Sequence, residues 1–213
     1  MNRKRLTRED SRERTTRRLL AAARKLIAKR GLSDTSLDEI AEEAGYTRGA
    51  FYSNFSSKGD LFIDLLRRDH AATSAQLRAL RDDSLPLEHI QQCIREIHSQ
   101  MYRTNETFMN WTEARMLAAR DAKFQVKLDA LLLERRAEAA ELIEYVYGRV
   151  GIAPPLAPTA VAMGVNSLFE GMKLTMLSSP GDMTSEDAES VLALIVNSLM
   201  RTARTQGEET SGS

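Results

Sequence analysis

The stretch TSLDEIAEEAGYTRGAFYSNFSSK, from Thr35 to Lys58, leaves this chain few ways to fold. Leu37, Ile40, Ala41 and Ala44 recur at the spacing of a helix with one apolar stripe, and Ser36 followed three residues later by Glu39 is a capping box at its start. Gly45 takes a positive φ without steric cost, so the helix stops there and the chain turns sharply. Thr47 then caps a second short helix, which directs Ala50, Phe51 and Phe55 to one side and leaves Arg48, Gly49, Tyr52, Ser53 and Asn54 on the other. Helix, glycine turn, helix is the pattern of a helix-turn-helix unit.

The outward set has the chemistry of a DNA groove. Arg48 has the forked donors that match the O6/N7 edge of guanine, and Gly49 lets backbone come close. Tyr52, Ser53 and Asn54 offer hydroxyl and amide groups suited to phosphate oxygens or base edges. Lys58 opens the next helix, where free N–H groups and the positive end of the helix dipole make a phosphate site. The competing reading of the same residues is a solvated polar face.

The runs LLAAARKLIAKRG (Leu19 to Gly31), TSLDEIAEEAG (Thr35 to Gly45) and YTRGAFYSNFSSKGDLF (Tyr46 to Phe62) resemble the N-terminal DNA-binding domain of TetR-family transcriptional regulators. Gly31, Ile40, Ala41, Gly45, Tyr52, Phe55 and Lys58 all stand at the family's spacings. The resemblance implies phosphate contacts from Thr35, Ser36, Thr47, Tyr52, Asn54 and Lys58, and base contacts from Arg48, Gly49 and Tyr52. Tyr46 and Ser53 complete the expected DNA-binding set. The family often has histidine where this chain has Asn54, and an amide cannot become cationic, which weakens a phosphate contact there. The resemblance also implies an all-α architecture: a three-helix helix-turn-helix domain joined by a long helix to a larger helical ligand-binding and dimerisation domain.

Composition agrees with a helical protein. Of 213 residues 42% are apolar and 28% charged, enough for a substantial core, and the eleven glycines fall mostly between helix-period segments. No βαβ alternation is visible, Cys93 cannot form an internal disulfide, and no Cys/His cluster has metal spacing, so neither metal nor cofactor is expected. The N-terminus MNRKRLTREDSRERTTRR is charged throughout, and no run reaches the length of a membrane span, so the chain is expected to be cytoplasmic. Charge is uneven. Residues 1–58 hold fourteen basic side chains against eight acidic ones, a net of +6, and with thirty of each in all the remainder carries −6. Such asymmetry turns the N-terminal part toward a polyanion.

Taken in order, residues 1–10 are expected to be a flexible basic arm, 11–62 the helix-turn-helix domain, 63–205 the ligand-binding and dimerisation domain, and 206–213 a disordered tail. A helix from Ser11 to Arg30 presents Leu19, Leu20, Ala23, Leu26 and Ile27 inward and ends at Gly31. A long helix from Lys58 to about Leu80 links the domains, with RDDSLP (Arg81 to Pro86) after it. Further helices are expected at roughly 86–103, 106–119, 122–149, 157–178 and 185–205.

The C-terminal part concentrates large, polarisable side chains. Phe108, Trp111, Met116, Phe124, Tyr145, Phe169 and Met172 are candidates to line a site for a small apolar or amphipathic effector, with Asn110, Glu113 and Asn166 as orienting polar groups. The last two helices resemble the family's dimerisation helices, and Leu192, Ile195, Val196, Leu199 and Met200 repeat at helical spacing. A homodimer also suits a palindromic double-stranded DNA operator. The favoured expectation is a ligand-responsive regulator, most simply a repressor, with no catalysis. The alternative is a helical-bundle enzyme carrying a basic N-terminal module, but none of His70, His89 or His98 has the Glu three residues before it that a di-iron site uses.

Overall fold

The computed structural model describes residues 7–103, 105–154, 156–195 and 197–198, and of 98–103 the backbone only. Among the described residues the chain is helices and connections: α1 (Arg8–Arg30), α2 (Leu37–Glu43), α3 (Arg48–Tyr52), α4 (Lys58–Ala79), α5 (Leu87–Arg103), α6 (Asn105–Ala118), α7 (Ala122–Arg149) and α8 (Pro158–Ser178). Residues 185–195 and 197–198 are also helical and form α9. No described helix is long and apolar enough to cross a membrane.

Sequence-local signals set most boundaries. Ser36 and Glu39 form the expected capping box, Thr47 caps α3, and Gly45 takes φ 73°. Gly31 ends α1 at φ 82°, its N–H donating to the Ile27 carbonyl at 2.8 Å. One start is earlier than expected. Thr7 and Asp10 form a second capping box, so α1 begins at Arg8 and residues 7–10 are its cap and first turn rather than part of an arm. The rest of the expected arm, residues 1–6, lies outside the described residues, as do the tail and Val196, Leu199 and Met200.

The chain divides into two compact units, one built from residues up to Asp69 with Asn105–Ala130, the other from His70–Arg103 with the residues from Leu131 on. This differs from the division at residues 62/63 expected from the sequence. The first unit contains α1, α2, α3, the start of α4, all of α6 and the start of α7. Its core joins Leu19, Ile27, Ile40, Phe51, Phe62 and Leu66, all 1% exposed or less, with Trp111, Ala114 and Phe124 from α6 and α7. Phe124 stacks on Phe62 at 5.9 Å. Burying side chains of this size stabilises by about 1.5–3 kcal/mol each, which is why α6 joins the unit despite its distance along the chain.

The second unit has two apolar clusters. Leu80, Ile90, Ile97, Leu142 and Val146 form one; Phe169, Met172, Ala188 and Leu192 form the other, uniting α8 with α9. A polar group on this unit is His70, whose Nε2 lies 3.0 Å from Glu138 Oε2, while Glu138 Oε1 accepts from Ser74 at 2.5 Å and Arg78 at 2.9 Å.

Candidate DNA interface

A helix of five residues has no stability of its own, because nucleation costs more than one turn returns. What holds α3 is its inward side. Phe51 is fully buried and packs 5.8 Å from Phe55, and Asn54 Oδ1 accepts from Thr16 of α1 at 3.0 Å while its Nδ2 donates to the Ala50 carbonyl at 2.7 Å.

The outer side of α3 carries Arg48, Gly49, Tyr52 and Ser53, all exposed. Arg48 is engaged from two directions: Nη1 lies 3.3 Å from Asp38 of α2, and the guanidinium sits 5.7 Å from the Tyr52 ring centroid. The Tyr52 hydroxyl and the Asp38 carboxylate together push the Arg48 pKa above its ordinary range. Tyr52 in turn meets Phe51 edge-on at 5.7 Å. The Arg48 guanidinium is therefore held between the Asp38 carboxylate and the Tyr52 ring. Ser36 and Thr47, both exposed, place a hydroxyl at the N-termini of α2 and α3, with Tyr46, half-buried, beside Thr47.

Three residues of the expected set are placed differently. Thr35 is fully buried, and its hydroxyl donates to the Gly31 carbonyl at 2.8 Å, so it shapes the α1–α2 turn rather than facing outward. Asn54 is spent on Thr16 and Ala50, as above. The Lys58 ammonium donates to the carbonyls of Leu32 at 2.8 Å, Thr35 at 2.7 Å and Ser33 at 3.4 Å, which uses its three donors inside the fold. These carbonyls lie in the turn that follows α1, and three of them converge on this one cation. Asp38, the partner of Arg48, escapes a sequence reading because ten residues and a turn separate the two.

The seven effector candidates do not gather in one unit. Phe108, Trp111, Met116 and Phe124 belong to the first; Tyr145, Phe169 and Met172 to the second. Trp111 and Phe124 are buried, while Met116 is 47% exposed. Phe169 and Met172 are core residues of the α8–α9 cluster, and the Tyr145 hydroxyl donates to Asp83 at 3.0 Å. Asn110 and Glu113 face α1: Asn110 Nδ2 donates to the Arg24 carbonyl at 3.1 Å, and Glu113 accepts from the Leu32 N–H at 2.8 Å. Asn166 lies half-buried on α8.

A capped two-helix unit with a cationic and aromatic outer face, braced by a long first helix, defines a helix-turn-helix DNA-binding protein. The profile described as "Bacterial regulatory proteins, tetR family" matches residues 19–65. The chain is 28% identical over 189 residues to the HTH-type transcriptional repressor AcnR of Corynebacterium diphtheriae, covering 85% of this chain and 89% of that one. It is 44% identical over 61 residues to the HTH-type transcriptional regulator AcrR of Shigella flexneri, covering 29% of this chain and 28% of that one. Its fold is that of the fatty acid degradation regulator FadR from Bacillus halodurans, with TM-score 0.73 and 15% identity over 92% of this chain and 97% of that one. SmeT, the repressor of the Stenotrophomonas maltophilia multidrug efflux pump SmeDEF, gives TM-score 0.65 and 16% identity over 85% and 87% of the two chains. Residues 19–65 therefore form a DNA-binding domain of the TetR family, and along most of its length the chain is similar to HTH-type transcriptional regulators.

Proposed function

We propose that the protein is a dimeric repressor that binds a palindromic operator in the cytoplasm and is released by a small apolar or amphipathic molecule. The observation that carries this is the outer face of α3, where Arg48 and Tyr52 stand exposed while every large apolar group of the helix is turned inward. Arg48, Gly49, Tyr52 and Ser53 read bases and nearby phosphates; Ser36, Tyr46 and Thr47 anchor the backbone at the two helix N-termini. The second unit takes the effector, through side chains such as Tyr145, Phe169 and Met172.

The dimer is supported by one face of α8. Met163 and Leu174 are about half exposed there, and Gly164 and Gly171 on the same side have nothing within 4 Å of the place a Cβ would occupy. Glycine inside a helix costs about 0.5–1 kcal/mol against alanine, and close approach of a second helix offsets that cost. The repressor reading draws on the names of AcnR and SmeT, both repressors. Footprinting the purified protein on genomic fragments tests the whole reading: a protected palindrome with half-sites about 10 base pairs or a multiple of that apart is expected. Uniform, salt-sensitive coating without a preferred fragment would refute it.

A further inference from the structure

Three residues of α6 spaced one turn apart reach α1 and its exit. The Thr107 hydroxyl accepts from Arg24 at 3.3 Å, Asn110 donates to the Arg24 carbonyl, and Glu113 accepts from the Leu32 N–H at 2.8 Å. The third contact differs in kind, because it falls on the turn between α1 and α2 and not on a helix already held by its own ladder.

Around that turn the fit is close. Gly31 stands at φ 82°, and a Cβ built there would lie 3.0 Å from Glu113 Oε1 and 3.3 Å from its Cδ, so the carboxylate rests on the bare face of the glycine. Leu32 is 6% exposed, so its N–H has little water to fall back on. On the neighbouring peptide the Leu32 carbonyl accepts from Lys58 at 2.8 Å. A carboxylate close to the negative end of α1 is electrostatically disfavoured, and the ammonium on the same turn offsets it. An anion from α6 and a cation from α4 thus grip adjacent peptides of one residue, four positions before the Ser36 cap of α2.

We infer that Glu113 is a positioning residue for DNA binding: through the Leu32 N–H it fixes the α1–α2 turn, and with it the angle at which α2 and its Ser36 N-terminus meet the phosphate backbone. Movement of α6 then reaches the DNA-binding face through the order of this turn, in addition to any shift carried by α4. The inference rests on the operator-binding reading above.

The test uses the full chain, with amide exchange at Leu32 followed by NMR and operator affinity followed by fluorescence anisotropy, both far below the thermal midpoint. Glu113→Ala is expected to speed Leu32 exchange and to raise the operator Kd, each by about tenfold, the scale of a lost hydrogen bond to a charged group. The slope of affinity against salt should stay unchanged, because no phosphate contact is removed. Glu113→Gln keeps an acceptor oxygen and should restore both. A residue that only stabilised the fold would leave Kd unaltered at a temperature where the variant is fully folded. Unchanged Leu32 protection in Glu113→Ala, or lost protection with unchanged Kd, overturns the inference. A parent protein that selects no DNA fragment overturns the operator reading instead, and the exchange arm then decides alone whether Glu113 holds the turn.

Discussion

In the proposed function, Arg48 is the side chain on which discrimination between DNA sequences would depend most. Its guanidinium is already extended over Tyr52 and paired with Asp38, so little rotamer freedom is lost when it enters a groove. Arg48→Ala or Tyr52→Ala should cost about 1–3 kcal/mol of specific affinity while leaving the helical signal intact, as measured by gel-shift competition between operator and scrambled DNA. A second residue sets a pH limit. Burial, with help from Arg135, lowers the His70 pKa below its ordinary 6.5, against the pull of Glu138 and Glu134. The unfolded chain therefore takes up this proton first as pH falls, and stability present above pH 6.5 is lost progressively below it. Urea midpoints compared at about pH 7.5 and about pH 5.5 should show that loss, and His70→Gln should remove the part due to this residue.

At the scale of elements, two glycines flank α2, and they are not equivalent. Gly45 has φ 73° and open space around it, so Gly45→Ala meets only the backbone penalty of about 1–2 kcal/mol. Gly31 stands at φ 82° and ψ 165°, a region essentially reserved for glycine, and has Glu113 against its face, so Gly31→Ala should destabilise more, and thermal melts of the two variants rank them directly. The same comparison explains what could be read in advance. The Ser36–Glu39 capping box, the Gly45 turn and the inward Phe51 and Phe55 are signals within a few residues of one another, and they were legible, whereas the Thr7–Asp10 box, equally local, was passed over as part of a basic arm. The roles of Thr35, Asn54 and Lys58 were not, because their partners are non-local or appear only once a turn has closed: Thr16 is 38 residues from Asn54, and Leu32 is 26 from Lys58. The placement of α6 was hidden for the same reason, since Arg24 and Thr107 lie 83 residues apart. The sequence marked a helix at roughly 106–119 and was silent on which unit it would join.

For the molecule as a whole, the open face of α8 sets the terms. Leu174→Glu should yield a monomer by sedimentation and abolish operator binding together, although the residue belongs to the unit that carries no DNA-reading helix. Gly171→Ala makes a sharper case, since alanine should favour the helix by about 0.5–1 kcal/mol in the isolated chain yet weaken pairing if helices meet there. A higher melting temperature at low protein concentration with a larger dimer dissociation constant would be the matching pair of observations. Two bare glycines on the open face of α8 also bear on gene dosage. If the chain pairs as proposed and is mostly monomeric at its cellular concentration, halving the number of chains lowers the dimer population about fourfold, by mass action. Operator occupancy would then answer copy number more steeply than in proportion, so small changes in synthesis or dilution at division would be felt at the promoter before any effector is present.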